Sequence, residues 1–327
     1  MLKKLTFITL ITLMFLLMAI NTIVLADMNF KMGHKSTTSH SWHDGCLMFK
    51  RIVEQRTNGE IKITIYPNAQ LGNQREMTEG CQMGTVDIVL NAPAYLANFV
   101  PRIKVFDLPF LFKDLDHAYK TLDTIGMEFD KELQDKGMKL LAYWETGFKM
   151  LSNNKHKIEK LEDLNGLKVR FPGSPVLKET LTAMGASAIS ISWPETYVAL
   201  QQGTADGQFN PPSIMVANKI HEVQDFYTTN LRVQYGAEPV VMSLKTWNEC
   251  SSAQQEILLE AAKIARDYQR KVNQLQNMEC IQTMQKEGVV IHTAPENVIE
   301  TLRKRTASVR KDNASEDLLN RIKEKAN

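Results

Sequence analysis

The chain has 327 residues, 43% of them hydrophobic and 23% charged, with a formal net charge of +2. That length can bury a large core and accommodate two lobes. The near balance of charge gives no global field favouring nucleic acid or an anionic membrane.

In chain order, Lys3 and Lys4 precede an apolar run over residues 5–24, and Val24-Leu25-Ala26 has the form of a small-residue cleavage site. Residues 1–26 therefore read as an export signal cut near Ala26. The apolar run is also long enough to span a bilayer, so an uncleaved anchor is the alternative. Asp27, not a cysteine, follows the cleavage site, which argues against a lipid anchor. Cleavage removes only Lys3 and Lys4 among charged residues and leaves 37 basic against 37 acidic.

Beyond the signal, strand and helix patterns alternate, which predicts an α/β fold with parallel sheet. Strands are expected over residues 30–33, 61–66, 87–91, 139–143, 149–152, 229–233 and 239–243. Helices are expected over 41–56, 74–83, 115–136 and 176–184. The turn Asn165-Gly166 releases the chain into a β-rich run over 167–171, which sets Arg170 at a strand end. Ser192-Trp193-Pro194-Glu195 has the form of a capping box with proline in the first turn, opening a helix that ends at Gly203. Asp206-Gly207 then turns the chain into Gln208-Phe209-Asn210, and Pro211-Pro212 stops regular pairing. Strand ends and helix starts of this kind are where ligands sit in open α/β sheets.

A second capping box, Ser252 with Gln255, opens a long helix whose apolar series runs from Leu258 to Met278 towards Gly288. Cys250 and Cys280 at its two ends would be about 45 Å apart, beyond the ~7 Å that a disulfide spans. Cys46 shares a helical stripe with Trp42, Phe49 and Val53 and reads as core. Free thiols are expected. No C-x-x-C or clustered Cys/His pattern suggests a metal, and no cofactor is implied.

Several stretches carry a family resemblance: residues 57–77 (TNGEIKITIYPNAQLGNQREM), 84–89 (GTVDIV), 105–114 (VFDLPFLFKD), 168–175 (KVRFPGSP) and 199–211 (ALQQGTADGQFNP). In this order they resemble the solute-binding proteins of TRAP (tripartite ATP-independent periplasmic) transporters, and the likeness covers nearly all of the chain after about residue 28. It implies a periplasmic protein of two lobes with a hinge. Lobe one would be residues 27–146 with a return segment near 237–275, and lobe two 147–236 with much of 276–327. The long C-terminal helix would cross both. It implies no turnover: an organic acid is captured, the lobes close, and a membrane permease receives it. A monomer is expected.

The resemblance also assigns a site. Arg170 matches the family's carboxylate-binding arginine, whose planar fork suits a carboxylate as an ammonium cannot. Asn210 matches an asparagine that donates to the same group, and Trp193 an aromatic ring against the ligand. Lys149 stands where sialic-acid-binding members carry a second arginine, which weakens substrate assignment by analogy. Arg75 matches a recurrent basic position. His34, Asn91 and Tyr235 are further candidates for lining the cleft, with His43 beside His34. Each has a plainer reading: a solvated loop residue, a turn residue, or a buried aromatic at a helix start.

Two other functions compete. A periplasmic enzyme acting on a carboxylate lacks support, since no G-x-S-x-G, H-E-x-x-H or G-x-x-x-x-G-K-[ST] occurs. His221-Glu222 has no second histidine at the needed spacing, and His40 with His43 is an isolated pair. A binding protein that feeds a sensor fits the sequence equally well. A dimer built on the long helix is a third possibility. The ligand class stays open among C4-dicarboxylates, sugar acids, oxo or hydroxy acids and aromatic acids.

Overall fold

The computed structural model describes residues 28–326, so the signal and its cleavage site lie outside the described residues. Nine strands, β1 (Met28–Gly33), β2 (Ile61–Tyr66), β3 (Ile88–Leu90), β4 (Met138–Asn153), β5 (Lys168–Phe171), β6 (Ser187–Ser190), β7 (Gly207–Asn210), β8 (Phe226–Ser243) and β9 (Val290–His292), form one sheet. The order is β2-β1-β3-β8-β4-β7-β5-β6, with β9 added to β8. The outer strands are parallel, as their helical crossovers require. The centre differs from the expected parallel sheet, because β4 and β8 run antiparallel to each other and to β7 and β3 respectively.

The sequence suggested a pair of short strands, one on each side of Trp144–Phe148, and a second pair flanking Gln234–Glu238. Both pairs are instead continuous, sixteen residues in β4 and eighteen in β8. Glycine made each look broken. Gly147 has φ +91°, and the ladder absorbs it as a register shift between Glu145 and Gly147 rather than ending. Here β4 and β8 pass from one half of the sheet to the other. The first half holds β1, β2, β3 and the Met138–Glu145 end of β4, and the second holds β5, β6, β7 and β9.

Each half has its own core. Phe30, Trp42, Phe49, Ile61 and Trp144 pack together in the first, and Leu151, Val169, Leu181, Leu231 and Ile299 in the second. A third cluster joins them through Phe106, Tyr143, Tyr235 and Met284. The chain therefore forms the expected α/β fold of two lobes joined through a narrow crossing.

The long helix Ser252–Lys286 spans the crossing, capped by Ser251 with Gln254, one residue earlier than the sequence suggested. Leu258, Ala261 and Ala265 bury against the first core. Midway its buried face turns polar. Arg270 holds Asp123 through two 2.8 Å bonds, and Asn273 and Gln274 donate to the Glu145 carboxylate at 3.1 and 2.5 Å. Gln269 bonds both the N–H and the C=O of Glu145. These bonds satisfy a buried carboxylate that would otherwise be expensive.

Two other expectations change in detail. The 115–136 helix is broken into Leu115–Asp123, a 3₁₀ turn Gly126–Phe129 and Asp130–Gln134, the backbone leaving helical geometry at Thr124 (φ −119°, ψ −81°) just before Gly126 packs where a Cβ would lie 2.9 Å from the Tyr143 ring. Ser192 does not cap a helix. Its hydroxyl donates to the Glu195 carboxylate at 2.5 Å, and the helix begins at Thr196. The last helix, Glu316–Glu324, returns to the first half, where His117 Nε2 meets Ile322 O at 2.7 Å and Arg321 pairs with Glu128. All four cysteines are free, and no helix among the described residues is long and apolar enough to cross a membrane.

At the crossing, a Cβ on Gly236 would stand 1.8 Å from Thr146 Oγ1 and 3.2 Å from Gly147 O. Gly236→Ala should destabilise the protein by about 1–3 kcal/mol, read as a lower urea midpoint. An unchanged midpoint would mean that the crossing relaxes freely.

Candidate ligand-binding site

The carboxyl ends of β5 and β7 open into a cavity between the two halves, enclosing about 630 Å³ of atom-free space that is partly open to solvent. Arg170 pairs with Ile189 of β6 and Gln208 of β7, so its backbone is fixed on both sides. Its side chain is only 6% exposed. Nε donates to Ile191 O at 2.9 Å, whereas Nη2 is buried without a partner. Burial lowers the guanidinium pKa to about 10, so it stays protonated at neutral pH. An orphaned, charged donor on a cavity wall is a standing demand for an acceptor.

Trp193 lies beside it, with the Arg170 guanidinium 5.5 Å and the Lys35 ammonium 5.1 Å from its ring centroid. Lys35, just after β1, also lies 5.2 Å from the Trp42 ring. Asn210 closes β7, and its backbone carbonyl accepts from Tyr227 OH at 3.0 Å. Lys149 lies on β4, opposite Gln234 of β8. The remaining wall is largely apolar: Phe171, Pro172, Leu177, Leu181, Phe209 and Val233.

Two carboxyl groups stand behind these cations. Glu238 is fully buried, with Thr146 Oγ1 at 3.4 Å from one oxygen and no partner on the other. Burial raises its pKa and lowers that of Lys35, each opposing the attraction between the two. Asp107 accepts from Gln234 Nε2 at 2.7 Å, and burial pushes its carboxyl up to about 7.

Arg170, Asn210, Trp193 and Lys149 thus share one cavity, and the other five candidates, His43 included, lie outside its lining. Arg75 is exposed and pairs with Glu79 at 2.8 Å. Its neighbour Gln74 lines the cavity instead. Asn91 is buried behind Gln74, bonding that residue's amide and carbonyl at 3.0 and 2.6 Å, so it positions Gln74. His34 is fully buried, 3.2 Å from His43 Nδ1, and burial holds its pKa near 3, which leaves it neutral. Tyr235 donates to the Glu145 carboxylate and packs on Phe112 and Phe148. Lys35, Gln74, Tyr95 and Gln234 went unread in the sequence. The signal for Lys35 and Gln74 was their place one residue from His34 and Arg75, at a strand end and a helix start.

Two α/β halves joined by paired crossing strands, with an unpaired guanidinium facing the cleft between them, define a solute-binding protein. Residues 32–317 match the model of the family described as bacterial extracellular solute-binding protein, family 7, and the chain belongs to that family. It is 32% identical over 85% of its length, and 84% of the relative's, to the 2,3-diketo-L-gulonate-binding periplasmic protein YiaO of Escherichia coli. A TRAP periplasmic solute binding protein from Polaromonas, bound to D-erythronate, superposes with TM-score 0.86 at 32% identity, over 91% of this chain and 98% of that one. One from Sulfurospirillum deleyianum with bound succinate superposes with TM-score 0.85 at 31% identity, covering 91% and 99%. Family members bind solutes and perform no turnover, so this chain is a binding protein and not an enzyme.

The buried carboxyl of Asp107 predicts a pH dependence. The unfolded chain releases this proton near pH ~3.9, whereas the folded chain holds it to about 7. Between those values the unfolded state binds fewer protons, so stability declines as pH rises. Anion affinity should fall over the same upper range, because Asp107 gains charge as Lys35 begins to lose it. Calorimetry should show weakening of about tenfold from pH 6 to 8.5, flattened in Asp107→Asn. An equal slope in the variant would remove Asp107 from the site's electrostatics.

Proposed function

We propose that this chain is the extracytoplasmic binding subunit of a TRAP transporter, capturing an organic acid by pairing its carboxylate with Arg170 and delivering it to a membrane permease. The observation that carries this reading is the buried, unpartnered Nη2 of Arg170 at the cavity wall. Asn210, at the end of the adjacent strand, completes the carboxylate site, and Trp193 covers it. Lobe one comprises residues 27–146 with a return segment near 237–275, and lobe two 147–236 with much of 276–327. The β4–β8 crossing is the hinge between them. Closure is favoured to the extent that lobe-one groups, Lys35 and Gln74 first among them, bind the ligand better in the closed form. The exported protein works in the periplasm as a monomer.

A thermal-shift screen of the mature protein against organic acids tests this. A ligand at a hundredfold excess over Kd adds about 2.7 kcal/mol of apparent stability. One acid class should shift the melt and its neutral amide should not. Silence across the panel, after removal of co-purified ligand, would sink the reading.

Arg170→Met should weaken acid binding by about a hundredfold or more, while leaving the ligand-free melting temperature equal or higher, because it removes a buried cation whose Nη2 has no partner. Loss of folding would show that Arg170 is structural.

A further inference from the structure

We propose that the hydrogen bond from His40 to Ser213 is a pH-sensitive clasp between the two halves, holding them at the angle seen here without touching the ligand. This rests on the hinge reading above and goes beyond it, because neither residue lines the cavity.

The clasp sits where two helix starts, one from each half, meet the long helix. His40 precedes the helix Ser41–Arg56, between β1 and β2, and Ser213 lies in the first turn of the helix Pro212–Ala217, after β7. Proline has no N–H, so Ser213 supplies the first donor of its helix. Asn277 Oδ1 accepts from Ser213 N–H at 2.9 Å, and the adjacent Gln276 Oε1 accepts from Ser41 N–H, also at 2.9 Å. One turn earlier, Asn273 Oδ1 accepts from the hydroxyls of Ser41 at 3.0 Å and Ser213 at 3.4 Å. The long helix thus holds each half by its own bonds. The contact of His40 Nε2 with Ser213 Oγ, at 3.3 Å, instead runs directly from one half to the other, and both residues are buried.

The surrounding bonds admit only one form of the His40 ring. Asn273 Nδ2 donates to the Glu145 carboxylate at 3.1 Å, which turns its Oδ1 towards the two serines. Ser213 therefore gives its proton to Asn273 and accepts the one on His40 Nε2. His40 Nδ1 accepts from Trp42 N–H at 3.2 Å and so caps the helix. A second ring proton would have to sit on Nδ1, where it meets that N–H donor to donor. It would also place a cation at the positive end of a sixteen-residue helix.

The charged neighbours act in the same direction. On its own side His40 has His34, which is bonded to His43, and the Lys35 ammonium, and both oppose a positive charge on it. The other two elements contribute the uncharged Ser213, Asn273, Gln276 and Asn277, with Glu145 behind Asn273. Burial and these charges hold the His40 pKa to about 3. Once the halves part and water enters, it returns towards ~6.5. Between those values the parted form binds more protons, so each pH unit lost below ~6.5 favours parting by up to about tenfold. Asp107 and Glu238, whose carboxyls burial raises, act in the opposite sense, and the share of His40 is what its substitution removes.

The test uses the ligand-free mature protein and two variants. His40→Asn keeps a capping acceptor but is too short to reach Ser213, and Ser213→Ala removes the acceptor and leaves the cap. Ring-nitrogen NMR should show His40 protonated on Nε2 alone at pH 7, with its pKa raised by at least about one unit in Ser213→Ala as water enters. Were the halves to stay together, loss of that acceptor would leave the value unchanged or lower, which separates a clasp from a merely structural bond. X-ray scattering at pH 7.5 should give both variants a larger radius of gyration than the wild type, and the gap between wild type and His40→Asn should close at pH 5. A His40 pKa unmoved or lowered in Ser213→Ala, or wild type and His40→Asn scattering alike at both pH values, would overturn the clasp and leave the hinge and organic-acid readings intact. Scattering that is also unmoved by an acid that shifts the melt would overturn both clasp and hinge.

Discussion

The pairing of β4 with β8 extends through both halves of the molecule, and the other elements are arranged around it. The β1, β2 and β3 ladder joins the pair on one side of the crossing, and β7, β5 and β6 on the other. Two antiparallel strands alone would twist and flex. The long helix lies against them and replaces water at the crossing with Gln269, Arg270, Asn273 and Gln274, which satisfy Glu145, Tyr143 O and Asp123. Polar contacts of this kind can exchange partners at less cost than a packed apolar layer would allow. A crossing built this way suits two halves that must stay attached while their relative angle changes.

The cavity inverts the logic of the crossing. At Glu145 the fold supplies nearly every partner that a buried charge needs, whereas Arg170 Nη2 is left without an acceptor and Lys35 has only two aromatic faces and the longer-range attraction of Glu238. Burying unpaired cations costs stability, and the two cores must offset it. The gain is that an anionic ligand finds donors already desolvated and fixed, with little left to reorganise. Trp193, between the guanidinium and the Lys35 ammonium, offers its ring face to both while leaving their N–H donors available.

How much of this was legible depended on the range of the interaction involved. Turn chemistry around Asn165-Gly166 and Asp206-Gly207 located β5 and β7 and set Arg170 and Asn210 at their ends, because turns and strand starts are local. The helix starting at Ser41 and the long helix were read from their apolar spacing for the same reason. The continuity of β4 and β8 was not legible, since glycine signals a break unless a partner strand absorbs it. The 115–136 helix failed likewise: it is interrupted at Thr124, and the close packing of the following Gly126 on the Tyr143 ring of another element is not visible in the sequence.

The sequence by itself determined the family, the α/β class, and four residues of one cavity, because strand-end motifs are set by the residues next to them in the chain. Only the tertiary structure decided which neighbour of each remaining candidate faces the cleft: Lys35 and not His34, Gln74 and not Arg75. Adjacent residues leave the backbone in different directions, and which direction is inward depends on where the other half of the molecule lies. The charge state of the cleft was likewise a tertiary outcome. Lys35, Lys149, Arg170, Asp107 and Glu238 are scattered over more than two hundred residues of chain, and only burial in one place makes their charges answer to each other.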